Sequence, residues 1–383
     1  MFELIKTHAS GARLGLLETA HGGVQTPFFL PIATKGTVKT LTPGELDVFQ
    51  QRVDPSTTPV MLSNTYHLYL KPGLDVLRNA GGLHHFAGWN NPILTDSGGF
   101  QIFSLAHLRK LTDNGVEFSS HLDGSKHMFT PEHSMEVQSV ISADIWMAFD
   151  YFPGHPAKRK DAQRSVELTS AWAARCVDWK KGYDAGKQER KRNMLFGIVQ
   201  GSTFDDLRRQ SAAELTAMPF DGFAVGGLAV GEPPEEMYKV LDVTVSLLPE
   251  NKPHYLMGVG PPEQILEAVK RGIDMFDCVI PTRNARHGTV FIRDPKGNGR
   301  LVDDSLQEVS YHKVNMNAET HKDSDTSVDG FCPCTLCAGT LTRRYLRHLL
   351  TVDEPVAARL MTEHNITFYM QLMKEIRDTI RSS

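Results

Sequence analysis

Three observations predict an α/β fold, a closed parallel (β/α)8 barrel of the TIM type followed by a smaller C-terminal subdomain. Eight short apolar runs each end in a polar or glycine-rich turn, stretches of helical periodicity follow most of them, and three Cys crowd into one six-residue stretch far downstream. Near-continuous apolar runs are what parallel strands require, because both faces of such a sheet are covered. An open doubly wound sheet would show the same alternation. Eight strands spread over about 250 residues favour closure.

The strand candidates are FFLPIA from Phe28, VMLSN ending at Asn64, ILTD at Asp96, DIWMAFD at Asp150, MLFGIVQ at Gln200, FAVGGL at Leu228, YLMGVG at Gly260 and MFDCVIPT at Thr282. Between them, Thr130-Pro131-Glu132 opens a capped amphipathic stretch with Met135, Val137, Val140 and Ile141 apolar. Asp205 to Leu215 and Glu235 to Leu247 have the same character, and Pro261 to Val269 starts with prolines suited to a first turn. Asp294 to Asp329 is polar and separates this pattern from the Cys-bearing part. The expected division is a catalytic barrel over residues 1–300 and a subdomain over residues 301–383, its C-terminal helices packed on the barrel.

The 383 residues carry 41 Lys+Arg against 45 Asp+Glu, a formal net charge of −4, which excludes a chain coated in positive charge but leaves room for a local basic site. With 40% hydrophobic content the chain is too apolar for intrinsic disorder. No apolar stretch approaches the roughly 18 residues of a membrane span, and MFELIKTHASGARLG lacks the basic start and apolar core of a signal peptide. Five Cys make no disulfide framework, so a reducing, cytoplasmic setting is expected.

Functional groups of a parallel barrel lie where its strands end. Here those positions hold Asn64, Asp96, Asp150, Gln200, Glu232 and Asp277. A single strand-end Asp is ordinarily a turn former or helix cap; three at equivalent ends of one barrel point to chemistry. Asp277 sits inside the apolar run MFDCVI, where an unpartnered carboxylate is costly. It is either salt-bridged to Arg283 or Arg286, or a desolvated nucleophile or acid–base group. DSGGFQ, GGLAVGE and GVGPPEQ allow close backbone approach to a flat polar ligand, and none matches a nucleotide-binding fingerprint. Cys332-Pro-Cys334-Thr-Leu-Cys337 is the spacing of a structural zinc site, with His348 or His364 as fourth ligand. Cys176 and Cys278 read as buried small hydrophobes. Basic residues cluster from Lys158, Lys187, Thr282 and Thr342; the third cluster, TRNARHG, follows Asp277 closely and suits a nucleic-acid backbone.

DSGGFQ, the VQGS turn, GGLAVGE, YLMGVG, MFDCVIPTRNAR, CPCTLC and LMTEHN occur here in the order found in the tRNA-guanine transglycosylases, and the chain resembles that family over essentially its whole length. The resemblance implies exchange of guanine at the anticodon wobble position of GUN-anticodon tRNAs for a 7-deazaguanine base, in queuosine biosynthesis. It assigns Asp277 as nucleophile and Asp96 as acid–base group. It gives the base to Ser97, Gly98, Gly99, Phe100, Asp150, Gln200, Gly227, Leu228 and Met257, with Phe100 and Met257 sandwiching the ring. It gives the RNA to Gly258, Gly260, Thr282, Arg283 and Arg286, and one structural Zn2+ per chain to Cys332, Cys334, Cys337 and His364. The family's partners are tRNA and a second copy of the chain; no membrane and no ATP or redox cofactor are expected.

Two features depart from the bacterial pattern. Phe152 stands where a Cys is usual, two residues after Asp150, and Lys180 to Asn193 is slightly long. Val230 of GGLAVGE resembles bacterial enzymes that take the aminomethyl base rather than eukaryotic ones that take queuine. Archaeal relatives carry extra C-terminal RNA-binding domains, and with the sequence running only shortly past TEHN that branch is not expected. The competing expectations are use of queuine directly, a non-catalytic RNA-binding paralogue, and an unrelated zinc-dependent barrel hydrolase. The second would be expected to lack a catalytic carboxylate, and the third needs its metal beside Asp96 and Asp277.

Overall fold

The computed structural model describes residues 1–105, 109–185, 193–295 and 299–383. The eight apolar runs form eight short strands: β1 (Phe28–Pro31), β2 (Met61–Ser63), β3 (Ile93–Thr95), β4 (Ile145–Met147), β5 (Met194–Val199), β6 (Gly222–Val225), β7 (His254–Leu256) and β8 (Met275–Cys278). They make one parallel sheet in the order β1-β8-β7-β6-β5-β4-β3-β2. A parallel bridge between Ile32 and Leu62, with the Ala33 N–H donating to the Leu62 carbonyl at 2.7 Å, joins its two ends into a barrel. The expected helices lie between the strands, among them Pro131–Ile141, Asp205–Thr216, Pro234–Val245 and Pro262–Lys270. Thr130 caps the first of these by accepting the His133 N–H, and Pro131 occupies its first turn.

The strand pleat sends alternate side chains to opposite faces. Leu94, Ile145, Met147, Phe196, Ile198, Ala224, Tyr255 and Met275 therefore meet inside the barrel. Their neighbours Ile93, Trp146, Leu195, Phe223, Leu256 and Phe276 pack outward under the helices. On β8 this parity turns Asp277, two residues beyond Met275, toward the mouth of the barrel rather than the helix layer.

An antiparallel meander (Phe2–Thr7, Arg13–Thr19, Gly22–Thr26) covers the opposite end, where Leu17 and Val24 complete the interior cluster. It is fastened at its turn: His21 Nδ1 lies 2.8 Å from the Asp144 carboxylate and His84 Nε2 lies 3.3 Å from it. The two imidazoles stack with centroids 3.8 Å apart, and the Ile93 N–H donates a third bond to Asp144 at 2.9 Å. A second antiparallel sheet (Arg109–Thr112, Gly115–Ser119, Lys126–Phe129) is inserted before the helix Pro131–Ile141.

The polar stretch after Asp294 is more than a separator. Its segment Tyr311–Asn315 pairs antiparallel with Thr289–Arg293. Both faces of this returning strand are largely solvated, so its composition carries no apolar run for the sequence to show. The final helix, Pro355–Ser382, is buried through its middle and packs against the helices Pro43–Val53 and Ile280–Arg286 and against β1. No helix among the described residues is long and apolar enough to cross a membrane.

Candidate active site and metal centre

Strand ends bring the carboxylates together at the barrel mouth. Asp277, half-buried on β8, accepts the Tyr255 hydroxyl from β7 at 2.5 Å and the Gly258 N–H at 3.0 Å. These partners replace the salt bridge the sequence also allowed, since among the described residues neither Arg283 nor Arg286 pairs with Asp277. Burial pushes the Asp277 carboxyl above its ordinary value, and the Tyr255 and Gly258 bonds pull part of the way back.

Asp96 follows β3 and is almost fully buried. Its carboxylate accepts the Thr65 N–H at 2.8 Å and the Asn64 side-chain amide, and its backbone carbonyl accepts the Thr65 hydroxyl at 2.5 Å. Burial raises its pKa to about 7; the N–H groups of Thr65 and Gly98 lower it, and the charge of nearby Asp277 raises it again. A carboxyl poised near neutrality within the field of a second carboxyl is the arrangement of an acid–base pair.

Behind these two lies a polar edge. Asp150 accepts the Ser97 hydroxyl on one carboxylate oxygen at 2.7 Å and the Gln200 amide on the other at 2.9 Å. Burial lifts its pKa to about 6, against the pull of both bonds. Gln200 Oε1 is buried without a protein partner. Two glycines let the backbone close around this edge. A Cβ on Gly99 would stand 2.7 Å from the Asp150 carbonyl, and one on Gly227, where φ is +65°, 2.7 Å from Gln200 Oε1. Glu232 accepts the N–H groups of Ala229 at 2.5 Å and Val230 at 3.1 Å. Because the peptide is planar and trans, holding the Ala229 N–H directs the Leu228 carbonyl the opposite way. Phe100, at the start of the helix Gly99–Leu105, is half exposed, and Met257 is half-buried beside Gly258.

Beyond β8 the chain enters the helix Ile280–Arg286. Thr282 is buried, with its hydroxyl on the Val279 carbonyl; Arg283 is exposed, and Arg286 donates to the Thr282 carbonyl at 2.8 Å. Gly260 offers its carbonyl to the Tyr369 hydroxyl at 2.5 Å. Other basic clusters are occupied with structure. Arg159 pairs with Asp206, Arg164 with Asp113 and Arg347 with Glu319. Most of the cluster from Lys187, and with it half of the long stretch from Lys180 to Asn193, falls outside the described residues.

Cys332, Cys334, Cys337 and His364 converge, their ligand atoms all within 4.8 Å of one another. His364 Nδ1 lies 3.4 Å from Cys334 Sγ and 3.3 Å from Cys337 Sγ. Its Nε2 donates to the Phe291 carbonyl at 2.7 Å, which leaves Nδ1 as the lone pair facing the thiols. Three thiols and an oriented imidazole in a buried tetrad can hold a metal ion with every position filled by protein. His348, the other sequence candidate, stacks on Tyr345 instead. The next residue, Asn365, ties this centre to the barrel: it accepts the Phe291 N–H at 3.1 Å and donates to the carbonyls of Pro281 at 2.9 Å and Thr289 at 3.1 Å.

Asn64, Thr65, Tyr255 and Asn365 were not singled out as site residues from sequence. Asn64 was visible only as a polar strand end, and Tyr255, inside an apolar strand, carried no signal before the register of its neighbour was known. Nothing in the sequence marks Asn365 beyond its place after His364.

A parallel barrel with paired buried carboxylates at its mouth, and a closed Cys3His centre set apart from them, defines the class: a barrel enzyme with a metal-binding appendage. A family model described as queuine tRNA-ribosyltransferase matches residues 8–383. A protein of that name from Pelotomaculum thermopropionicum is 50% identical over 376 residues, 98% of this chain and 93% of its own length. Those from Halalkalibacterium halodurans and Desulforamulus reducens are 48% and 49% identical over 380 and 370 residues, covering 99% and 97% of this chain and 92% and 91% of theirs. The chain belongs to the queuine tRNA-ribosyltransferase family, a family of pentosyltransferase enzymes.

Proposed function

We propose that this enzyme exchanges guanine at the wobble position of GUN-anticodon tRNAs for 7-aminomethyl-7-deazaguanine by double displacement, a step of queuosine biosynthesis. The observation that carries the reading is the pairing of Asp96 and Asp277, both raised by burial, in front of the Asp150–Gln200 edge. An Asp277 oxygen attacks ribose C1′ as the C1′–N9 bond breaks, its electrons leaving on guanine, which takes a proton from Asp96. The incoming base returns a proton to Asp96, attacks C1′ and expels Asp277, so the anomeric configuration is retained. Asp150 accepts from the N1–H and 2-amino group of a guanine-like ring, and Gln200 addresses its oxygen. Phe100 and Met257 supply the faces. The wobble nucleotide must leave its stack, at modest cost in a loop, and exposed Arg283 contacts the flanking backbone with Arg286 behind it.

Cys332, Cys334, Cys337 and His364 would hold one Zn2+, whose part is to fix the C-terminal fold and not to meet substrate. Exposed Phe331, Tyr345 and Val352 near this centre support a second copy of the chain as a partner. A tRNA substrate supports a cytoplasmic location.

The 7-substituent is read by the Leu228–Glu232 turn. The Leu228 carbonyl, directed through Glu232, accepts from the aminomethyl ammonium, a charge-assisted bond of about 1.5–3 kcal/mol. β-Branched Val230 leaves less room than glycine for the cyclopentenediol of queuine. Competition of each base against guanine incorporation tests this. The aminomethyl base should have the lower inhibition constant, and Val230→Gly should improve queuine; a lower constant for queuine on the unaltered enzyme overturns the assignment.

A further inference from the structure

We propose that Phe152 is a positioning residue of the base pocket: it lies behind Phe100 and holds that ring as a ready-made face for the purine-like substrate. The inference rests on the reading of this pocket as a guanine site. The rings of Phe100 and Phe152 have centroids 5.5 Å apart and planes inclined by 5°, an offset parallel stack. Phe100 sits on the first turn of its helix with half of its surface, 51%, exposed. One face is thus stacked against Phe152, while half of the Phe100 surface stays exposed. Phe152 is half-buried, two residues after Asp150, and its Cβ lies 3.7 Å from where a Gly227 Cβ would stand. Its stem is thus wedged between the two elements that form the polar edge, so the second aromatic layer is registered to the groups that grip the base.

The physical consequence is pre-organisation. An exposed Phe on a helix start samples several rotamers, and a base that stacks on it must first immobilise it. A parallel partner behind the ring removes that cost before the base arrives. Phe152 touches no reacting atom in this arrangement, so its influence falls on base affinity and not on bond-breaking.

The test is steady-state guanine incorporation with Phe152→Ala, Phe152→Leu and Phe152→Tyr. The Ala and Leu variants should raise KM for guanine about threefold to tenfold, with kcat within about twofold. The Tyr variant, which keeps the flat ring, should retain the original KM. Leu preserves apolar volume, so a raised KM at unchanged melting temperature separates the loss of the flat ring from general damage. An unchanged KM in both Ala and Leu variants, or equal losses in all three, overturns the role of Phe152. Failure of the unaltered enzyme to incorporate guanine at all overturns the pocket reading beneath it.

Discussion

At the scale of single residues, two carboxylates of one chemical type stand in different surroundings, which suit them to the different tasks proposed for them. Asp277 keeps a hydroxyl and one N–H as partners at the barrel mouth, whereas Asp96 is sealed beneath Asn64 and Thr65 with its pKa near 7. Asp277→Asn is nearly isosteric and should leave the fold intact, but an amide cannot form the glycosyl ester. Denaturing gels should show no covalent enzyme–tRNA adduct, and exchange should fall by roughly a thousandfold or more; normal adduct formation would remove Asp277 from the mechanism. In the proposed mechanism Asp96 carries a proton when guanine departs. As pH rises through about 7 that proton is lost, so kcat/KM should decline on an alkaline limb centred there. A profile flat to about pH 9 contradicts Asp96 as the acid. The two positions were legible because a charged residue inside or directly after an apolar run stands out, whereas their proposed division into nucleophile and acid–base group rests on the family resemblance. Tyr255 was not legible, because a Tyr in an apolar strand carries no signal until the register of its neighbour is known.

At the scale of elements, the metal centre and the segment after β8 are one mechanical unit. His364 and Asn365 hold the carbonyl and the N–H of Phe291 respectively, and Asn365 also holds the Pro281 carbonyl in the first turn of the helix that carries Arg283 and Arg286. Cys334→Ser and His364→Ala should each release metal and lower the melting temperature, because binding energy at such a centre is folding energy; one full equivalent retained in both, with unchanged melting, would contradict the ligand set. Asn365→Ala leaves buried backbone groups unpaired, at about 1–3 kcal/mol of stability. With the four ligands untouched it should keep its metal while KM for tRNA rises; loss of metal with no change in KM for tRNA would place Asn365 in the centre alone. The Cys spacing announced the ligands from sequence. The choice of His364 over His348 needed the family resemblance, since both lie in helical segments and spacing alone cannot tell which way each faces.

At the scale of the whole molecule, the eight barrel strands were readable because burial on two faces leaves uninterrupted apolar runs. The meander, the inserted sheet and the returning strand Tyr311–Asn315 were not, because each is solvated on at least one side and mixes polar with apolar residues. The meander nonetheless contributes to stability through its clasp on Asp144. Hydrogen bonding to Asp144 raises the His21 pKa above 6.5, so that contribution is complete below pH 6.5 and fades as pH climbs through the raised folded value. Burial opposes ionisation of Asp144, but its His21, His84 and Ile93 bonds leave its pKa below 3.8; that contribution holds above pH 3.8 and is lost as acid carries the pH through the depressed value. The melting-temperature gap between the unaltered enzyme and His21→Ala should therefore be widest between pH 3.8 and 6.5 and narrow above that window; a constant gap across it would assign His21 no ionic part. Barrel, carboxylates and base edge together make one claim, that the enzyme replaces a base within intact tRNA. Incubation with radiolabelled guanine and an unmodified tRNA whose anticodon begins with G should transfer label into the polynucleotide without ATP and without strand cleavage, and Asp277→Asn should transfer none. Label that stays in the free base with the unaltered, metal-loaded enzyme would contradict it.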